Sequence, residues 1–279
     1  MTLLVPPSYG DRFRDLIGSL TGISLPASKV QMIDQRLRRR VMAFGLRDTE
    51  TYLRMLLEDR DMTDELRIVI DLITTNTTSF FREPSHFDFL VDEILPAILR
   101  RRGTGLTPRL KLWSAASSEG AEAFTAAMVL AEAQRAGRRF DYAILGTDIS
   151  YRMLERATAA VYDSDQLATV PAHLLRRYVM TSADPALAGK ARMVPELRRR
   201  VRFRYLNLMD DAYPVDRDVD VILLRNVLIY FAAEDKDRVI ARMVTHLAPG
   251  GHLLVGHSES MAVRHPGLRQ VRPTIFRKE

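Results

Sequence analysis

The spacing of apolar positions changes partway along this chain. Up to about residue 80 they recur at helical intervals: Phe13, Leu16, Ile17 and Leu20, then Val30, Ile33, Leu37 and Val41, then Tyr52, Leu53 and Leu56. Gly45 and Asp48 mark a break between two of these helices. From about residue 109, short runs rich in Val, Ile and Leu alternate with helical stretches. RLKLWSA (109–115), DYAILGTD (141–148), DVDVILLRN (218–226) and HLLVGH (252–257) read as strands. Helices are expected over 119–136, 149–162 and 232–247, and a turn at APGG, 248–251. This alternation predicts an α/β fold with a parallel sheet covered on both faces. Residues 164–203 leave the rhythm. Their short runs YVMT and ARMV, with Pro and Gly between, predict a small β insertion.

Composition narrows the picture modestly. A chain of 279 residues, 47% hydrophobic, has room for one large or two modest domains with a real core. No apolar run reaches the ~18 residues of a membrane span. The opening MTLLVPPSYGDRFRDL lacks the basic and apolar regions of a signal peptide. The absence of cysteine removes disulfides, thiolate zinc sites and any cysteine nucleophile, and fits a cytoplasmic protein. The net charge of +6 comes with far more Arg than Lys. It reflects either an arginine-rich proteome or an acidic partner, whether nucleic acid, anionic lipid or protein.

Candidate chemistry gathers where strands end. The apolar run VDVILL gives way to Arg225 and Asn226, with Tyr230 about a helical turn on. In open α/β sheets ligands sit outside the carboxyl ends of strands. The first strand-turn-helix, LWSAASSEGAEAF, has small residues from Ser114 to Ser118 that let backbone approach a ligand, and Gly120 opens the helix. The second strand ends in Gly146-Thr147-Asp148, and an acid there accepts ribose hydroxyls or caps the next helix. TTNTTSFFREPSHF (74–87) supplies Asn76, Thr77 and Thr78, two anchoring aromatics in Phe80 and Phe81, and then Arg82, a cation suited to a carboxylate. The six histidines are scattered with no pair at ligand spacing, so no metal is expected, and His257 reads as structural or substrate-lining.

In order and spacing, TNTTSFFRE, WSAASSEGAEAF, GTDIS, YLNL, LLRNVLIYF, GHLLVGHSES and the final TIFRK resemble the CheR-type chemotaxis receptor methyltransferases. The resemblance runs from about residue 10 to 278, and FFRE and RNVLIYF are its most specific blocks. It implies a helical N-terminal substrate-docking domain (1–80), followed by a Rossmann-like methyltransferase domain (81–279) carrying the insertion near 164–203. The implied reaction moves a methyl group from S-adenosylmethionine to glutamate side chains of transmembrane receptors in sensory adaptation, leaving S-adenosylhomocysteine. The implied partners are the cytoplasmic acidic helices of methyl-accepting chemoreceptors. Neither nucleic acid nor membrane insertion is expected, and the protein is expected to be a monomer.

By the same resemblance Asn76, Thr78 and Arg82 contact the cofactor's methionine end and the reaction site. Glu122 holds its amino group and Asp148 its ribose. Asn207 and Leu208 border the adenine, while Arg225 and Asn226 line the cleft beneath. Tyr230 faces the transferable methyl with Arg82. Three positions depart from the family pattern: Ala121 replaces a Glu, Glu119 a small hydroxyl residue, and Ala160 a common Gly. On a helix over 29–41, Lys29, Arg36 and Arg40 fall on one stripe flanked by Arg39, which is either a docking surface for acidic helices or a solvated face.

A glutamate carboxylate is already ionised at pH 7, so methylating it requires no general base, only desolvation and aim. A nucleic-acid methyltransferase is disfavoured: a cytosine C5 enzyme needs the missing cysteine, and no Asp/Asn-Pro-Pro-aromatic motif is present. The alternative from another class is a catalytically silent module that binds S-adenosylmethionine or S-adenosylhomocysteine.

Overall fold

The computed structural model describes residues 8–59, 61–102 and 107–279, so the stretch read for a leader falls partly outside it. Four helices open the chain: α1 (Tyr9–Thr21), α2 (Val30–Ala43) after a 3-10 turn, α3 (Thr49–Glu58) and α4 (Thr63–Ile73). Ser8 and Asp11 form a capping box on α1, and Asp48 caps α3 by accepting the Thr51 N–H at 2.7 Å. Their apolar faces meet in one core that includes Phe13, Ile17, Ile33, Leu37, Val41, Tyr52 and Leu53. Val30, expected on that face, is 44% exposed instead, at the first position of α2.

The basic stripe of α2 is only partly free. Arg40 forks onto the buried Glu65 carboxylate, which also accepts the Tyr52 hydroxyl. Arg36 donates to the carbonyls of Leu72, Ile73 and Thr74, closing the C-terminal end of α4. Both are half-buried and help to hold the helical unit together. Lys29 and Arg39 are exposed as expected, and so is Arg38.

A helical stretch with a π-turn at Leu90–Ile94, from α5 (Ser85–Phe89) to α6 (Leu95–Arg102), leads to the sheet. Then come β1 (Arg109–Ala115), α7 (Ala121–Arg135), β2 (Asp141–Asp148), α8 (Tyr151–Ala159), β3 (Val161–Asp163), α9 (Ala172–Tyr178), β4 (Val179–Thr181), β5 (Lys190–Met193), α10 (Pro195–Arg200), β6 (Val201–Tyr205), β7 (Val219–Leu224), α11 (Ala233–His246), β8 (Leu247–Val255), β9 (Leu268–Arg272) and β10 (Ile275–Lys278). Seven strands form one sheet in the order β6-β2-β1-β7-β8-β10-β9, with β6 through β8 parallel and the last two antiparallel. The chain runs outward from β1 through β2 to β6, then returns to β7 on β1's other side. That reversal opens a crevice at the carboxyl ends of β1 and β7.

The small antiparallel sheet β3-β5-β4 forms the insertion, but its limits differ from 164–203. Val161 already begins β3, inside the helix expected to reach 162, and Val201 begins β6 of the main sheet. β6, VRFRY, hid because it is an edge strand whose charged residues alternate outward. The APGG turn lies inside β8: Gly250, at φ 71°, kinks the strand, and the register against β7 shifts there. The two closing antiparallel strands, β9 and β10, were not read as strands at all.

Phe203 of β6 wedges under the first turn. A Cβ on Gly146 would stand 2.5 Å from its ring and 2.9 Å from Ser117 Oγ, and one on Gly120 would stand 2.8 Å from the same ring. Gly146→Ala is therefore expected to destabilise the protein by about 1–3 kcal/mol through overpacking. Urea unfolding measures this, and an unchanged midpoint would refute the close packing.

Candidate active site

After Ala115 the chain turns through Ala116 (φ 58°), Ser118 (φ 50°) and Gly120 (φ 88°) before α7. The turn is fixed by the Ser117 N–H on the Thr147 carbonyl, 2.8 Å, and the Gly120 N–H on the Ser117 carbonyl, 3.0 Å. Asp148, 5% exposed, ends β2 and accepts the Ser118 N–H on one oxygen (2.7 Å) and the Ser150 N–H on the other (2.9 Å). Burial pushes its carboxyl upward, opposed by those N–H groups. The helix-cap reading of Asp148 is corrected: Ser150 caps α8, accepting the Met153 N–H. Asp148 instead ties two turns together.

Glu122 sits in the first turn of α7. Its oxygens accept the Ser114 hydroxyl at 2.6 Å and the Arg225 guanidinium at 3.0 Å. Burial raises its carboxyl, with Arg225 opposing. Arg225, its side chain 2% exposed, also reaches Glu83 at 3.3 Å, donates to the Arg82 carbonyl and lies over the Phe87 ring at 5.5 Å. It brackets the 80s loop onto the first turn from beneath.

That loop holds two further left-handed residues, Phe81 (φ 53°) and Glu83 (φ 54°), so Arg82 projects outward between them. Its guanidinium is exposed and makes only a long 3.5 Å contact to the Thr77 carbonyl, with no carboxylate partner among the described residues. Asn76 contributes its carbonyl to the Ser118 hydroxyl, 2.8 Å. Below, Glu83 gathers His86 (3.5 Å) and His257 (3.3 Å). His257 therefore serves the loop's underside.

At the end of β7, Asn226 adopts φ 59°. The buried Glu259 holds it, one oxygen accepting the N–H groups of Asn226 and Gly256, each at 2.7 Å. Tyr230 follows in a 3-10 turn, half-buried. Across the mouth the helical unit closes in: Ile23 bridges Phe231, and the Ser24 N–H donates to the Tyr230 carbonyl at 2.9 Å. Asn207 does not offer its amide to the cleft. Its Nδ2 donates to the Leu20 carbonyl (2.6 Å) and its Oδ1 accepts the Met209 N–H (2.9 Å), so its side chain anchors α1.

One cleft is lined by all ten residues expected there: Asn76, Thr78, Arg82, Glu122, Asp148, Asn207, Leu208, Arg225, Asn226 and Tyr230. Lys29, expected in docking, lines it too. Sequence reasoning missed the wall from Thr21, Ile23, Ser24 and Met32, whose residue types carry no sign of a ligand. Ser117, within the small-residue turn, also lines the cleft, while its hydroxyl is buried toward Gly146 without a hydrogen-bond partner. Among the described residues no cluster suits a metal ion. The altered position Glu119 turns away from the cleft toward Gln166 and Arg156, and its carbonyl accepts the Tyr162 hydroxyl at 2.7 Å.

Burial holds two histidines well below the usual range, His86 and His252 each at about 4. In the unfolded chain they protonate near 6.5. Between those values the unfolded state binds more protons, so their contribution is complete above about 6.5 and shrinks as pH falls toward about 4. The melting temperature is expected to fall between pH 7 and pH 4.5, and less so in His86→Gln. An equal fall in both proteins would exclude His86 as a source.

Residues 76–275 match the family model "CheR methyltransferase, SAM binding domain", and residues 10–74 match "CheR methyltransferase, all-alpha domain". The chain is 37% identical over 265 residues to "Chemotaxis protein methyltransferase 2" of Pseudomonas aeruginosa, covering 94% of this chain and 90% of that one. It is 36% identical to the "Chemotaxis protein methyltransferase" of Escherichia coli over 93% of this chain and 87% of that one. The Salmonella typhimurium protein of the same name is also 36% identical, with coverage of 96% and 89%.

Proposed function

Because the chain belongs to the CheR family of S-adenosylmethionine-dependent methyltransferases, we propose that its cleft esterifies glutamate side chains on the acidic cytoplasmic helices of chemoreceptors. In this reading residues 81–279 carry out the transfer and residues 1–80 dock the receptor. The observation that carries it is Arg82: an exposed guanidinium without a carboxylate partner among the described residues, at a cleft floored by two buried acids.

The cleft suits the cofactor chemically. Glu122 answers an ammonium and Asp148 two ribose hydroxyls, because each of its oxygens keeps a lone pair beyond its one N–H bond. Asn76 and Thr78 line the end beside Arg82, and the Asn207–Leu208 segment would meet the adenine through backbone and the Leu208 side chain. When bound, S-adenosylmethionine supplies an electrophilic methyl on its sulfonium.

What the protein does is position. Arg82 fixes the substrate carboxylate with its planar fork, Tyr230 supplies a hydroxyl across the site, and the helical wall excludes water. The substrate is already an anion, so no residue has to take a proton. Lys29, Arg38 and Arg39 present an exposed positive surface that complements an acidic helix.

Asp148→Asn is expected to weaken S-adenosylhomocysteine binding by roughly 10- to 100-fold by calorimetry, since an amide nitrogen would face one of the two N–H groups and the charge would be gone. The function itself is tested by transfer of labelled methyl to membranes bearing chemoreceptors of the same organism. Alkali-labile label on receptors supports carboxyl methylation. Tight S-adenosylhomocysteine binding without label would point to the silent module.

A further inference from the structure

The 80s loop carries Arg82 between two left-handed residues, and a non-glycine backbone keeps that conformation only where its surroundings impose it. For Glu83, at φ 54°, they act on the carboxylate. Its Oε2 faces Arg225 Nη2 at 3.3 Å. Its Oε1 faces His257, with Nδ1 at 3.3 Å and the backbone N–H at 3.5 Å. The carboxylate is therefore gripped from two strand ends, that of β7 through Arg225 and that of β8 through His257. Burial works to raise the Glu83 carboxyl, but Arg225 and the histidines outweigh it and hold the group below its ordinary value.

His257 opens the 3-10 turn His257–Ala262 that follows β8. That turn is itself fixed, because Glu259, buried within it, accepts the N–H groups of Gly256 and Asn226. The His257 ring lies 6.0 Å from the His86 ring and nearly parallel to it, and His86 is tied to Thr274 at 2.6 Å. The imidazole thus has a defined place beside Glu83, yet its side chain is 66% exposed. An exposed pair of this kind adds little to stability. A small displacement of the group that aims a substrate, by contrast, costs heavily in rate. His257 does not line the cleft, so an effect on transfer has to pass through Glu83.

With Arg82 as the carboxylate clamp of the proposed function, on which this step rests, we propose that His257 is a positioning residue for methyl transfer: its Nδ1 holds the Glu83 carboxylate and thereby the aim of Arg82. Protonated, or neutral with its hydrogen on Nδ1, the ring presents the same donor to Oε1. The Arg225 side of the grip is built into the buried floor of the cleft. The His257 side is open to solvent and can be altered alone.

The test compares the parent with His257→Ala, His257→Asn, Arg82→Ala and the double variant Arg82→Ala/His257→Ala, as full chains on receptor-bearing membranes. His257→Ala is expected to lower kcat/KM roughly tenfold or more, with S-adenosylhomocysteine affinity and the urea midpoint unchanged. His257→Asn, which offers an amide donor in place of Nδ1, should restore most of the rate. Added to Arg82→Ala, the same substitution should cost nothing further, because the group it aims is gone. Hydrogen exchange at the Phe81 amide, which donates to Thr125 Oγ1 at 3.2 Å, follows the loop without any substrate and should quicken in His257→Ala. Parental turnover in His257→Ala, or a loss that recurs in full on top of Arg82→Ala, overturns the proposal. A parent that labels no receptor sinks the methyl-transfer reading instead, and the exchange rates then decide alone whether His257 holds the loop.

Discussion

An Arg82→Ala protein is expected to lose roughly 100- to 1000-fold in kcat/KM for methyl transfer, while its affinity for S-adenosylhomocysteine falls less than tenfold. The loop geometry argues for this asymmetry. Phe81 and Glu83 both sit in left-handed conformations that cost of order 1–3 kcal/mol each, and together they aim the residue between them at the mouth. Arg82 carries no internal duty that its removal would upset. The buried acids that would hold the amino group and ribose keep their own partners. Arg82→Lys should recover part of the rate, since a point charge attracts a carboxylate without the two-pronged alignment. Equal loss in cofactor affinity and turnover would show that Arg82 serves the cofactor rather than the substrate.

Replacing Arg225 with Met is expected to cost about 3–5 kcal/mol of stability, read from urea unfolding with cofactor absent. Arg225 answers two acids, Glu122 and Glu83, and ties the Arg82 carbonyl to the floor. Removing it leaves two carboxylates shielded from water without their cation. Adding Glu122→Gln should restore part of the loss, because one of the stranded charges disappears. A single variant within about 1 kcal/mol of the parent would mean that water already solvates this network.

The sheet and the cleft were legible to different depths. Strands β1, β2 and β7 announced themselves as apolar runs, and their ends named Asp148, Arg225 and Asn226. β6 did not, because an edge strand alternates with charge and its signal resembles that of a loop. Chemistry carried on side chains could be read from residue type in the case of Arg82, a cation suited to a carboxylate, whereas Glu122 entered only through the family resemblance. Chemistry carried on tertiary contacts could not. Nothing in the letters shows that Asn207 spends its amide on α1, that Arg36 closes α4, or that Arg40 serves Glu65. Glu259 escaped notice for the same reason: its role is to receive two N–H groups from separate loops.

The join between Ile23–Ser24 and Tyr230–Phe231 bears on how this architecture can be recombined. The surface that would greet a receptor and one wall of the cofactor cleft belong to the same four helices. Exchanging that helical unit between relatives would therefore transplant partner choice and cofactor affinity as a linked trait. Gly22, where an added Cβ would stand 2.6 Å from Met209 Sδ and 3.1 Å from Phe231, is the seam at which such a graft must match. Lineages that change receptors are expected to do so by substitution on the outer face of α2, with the seam left intact.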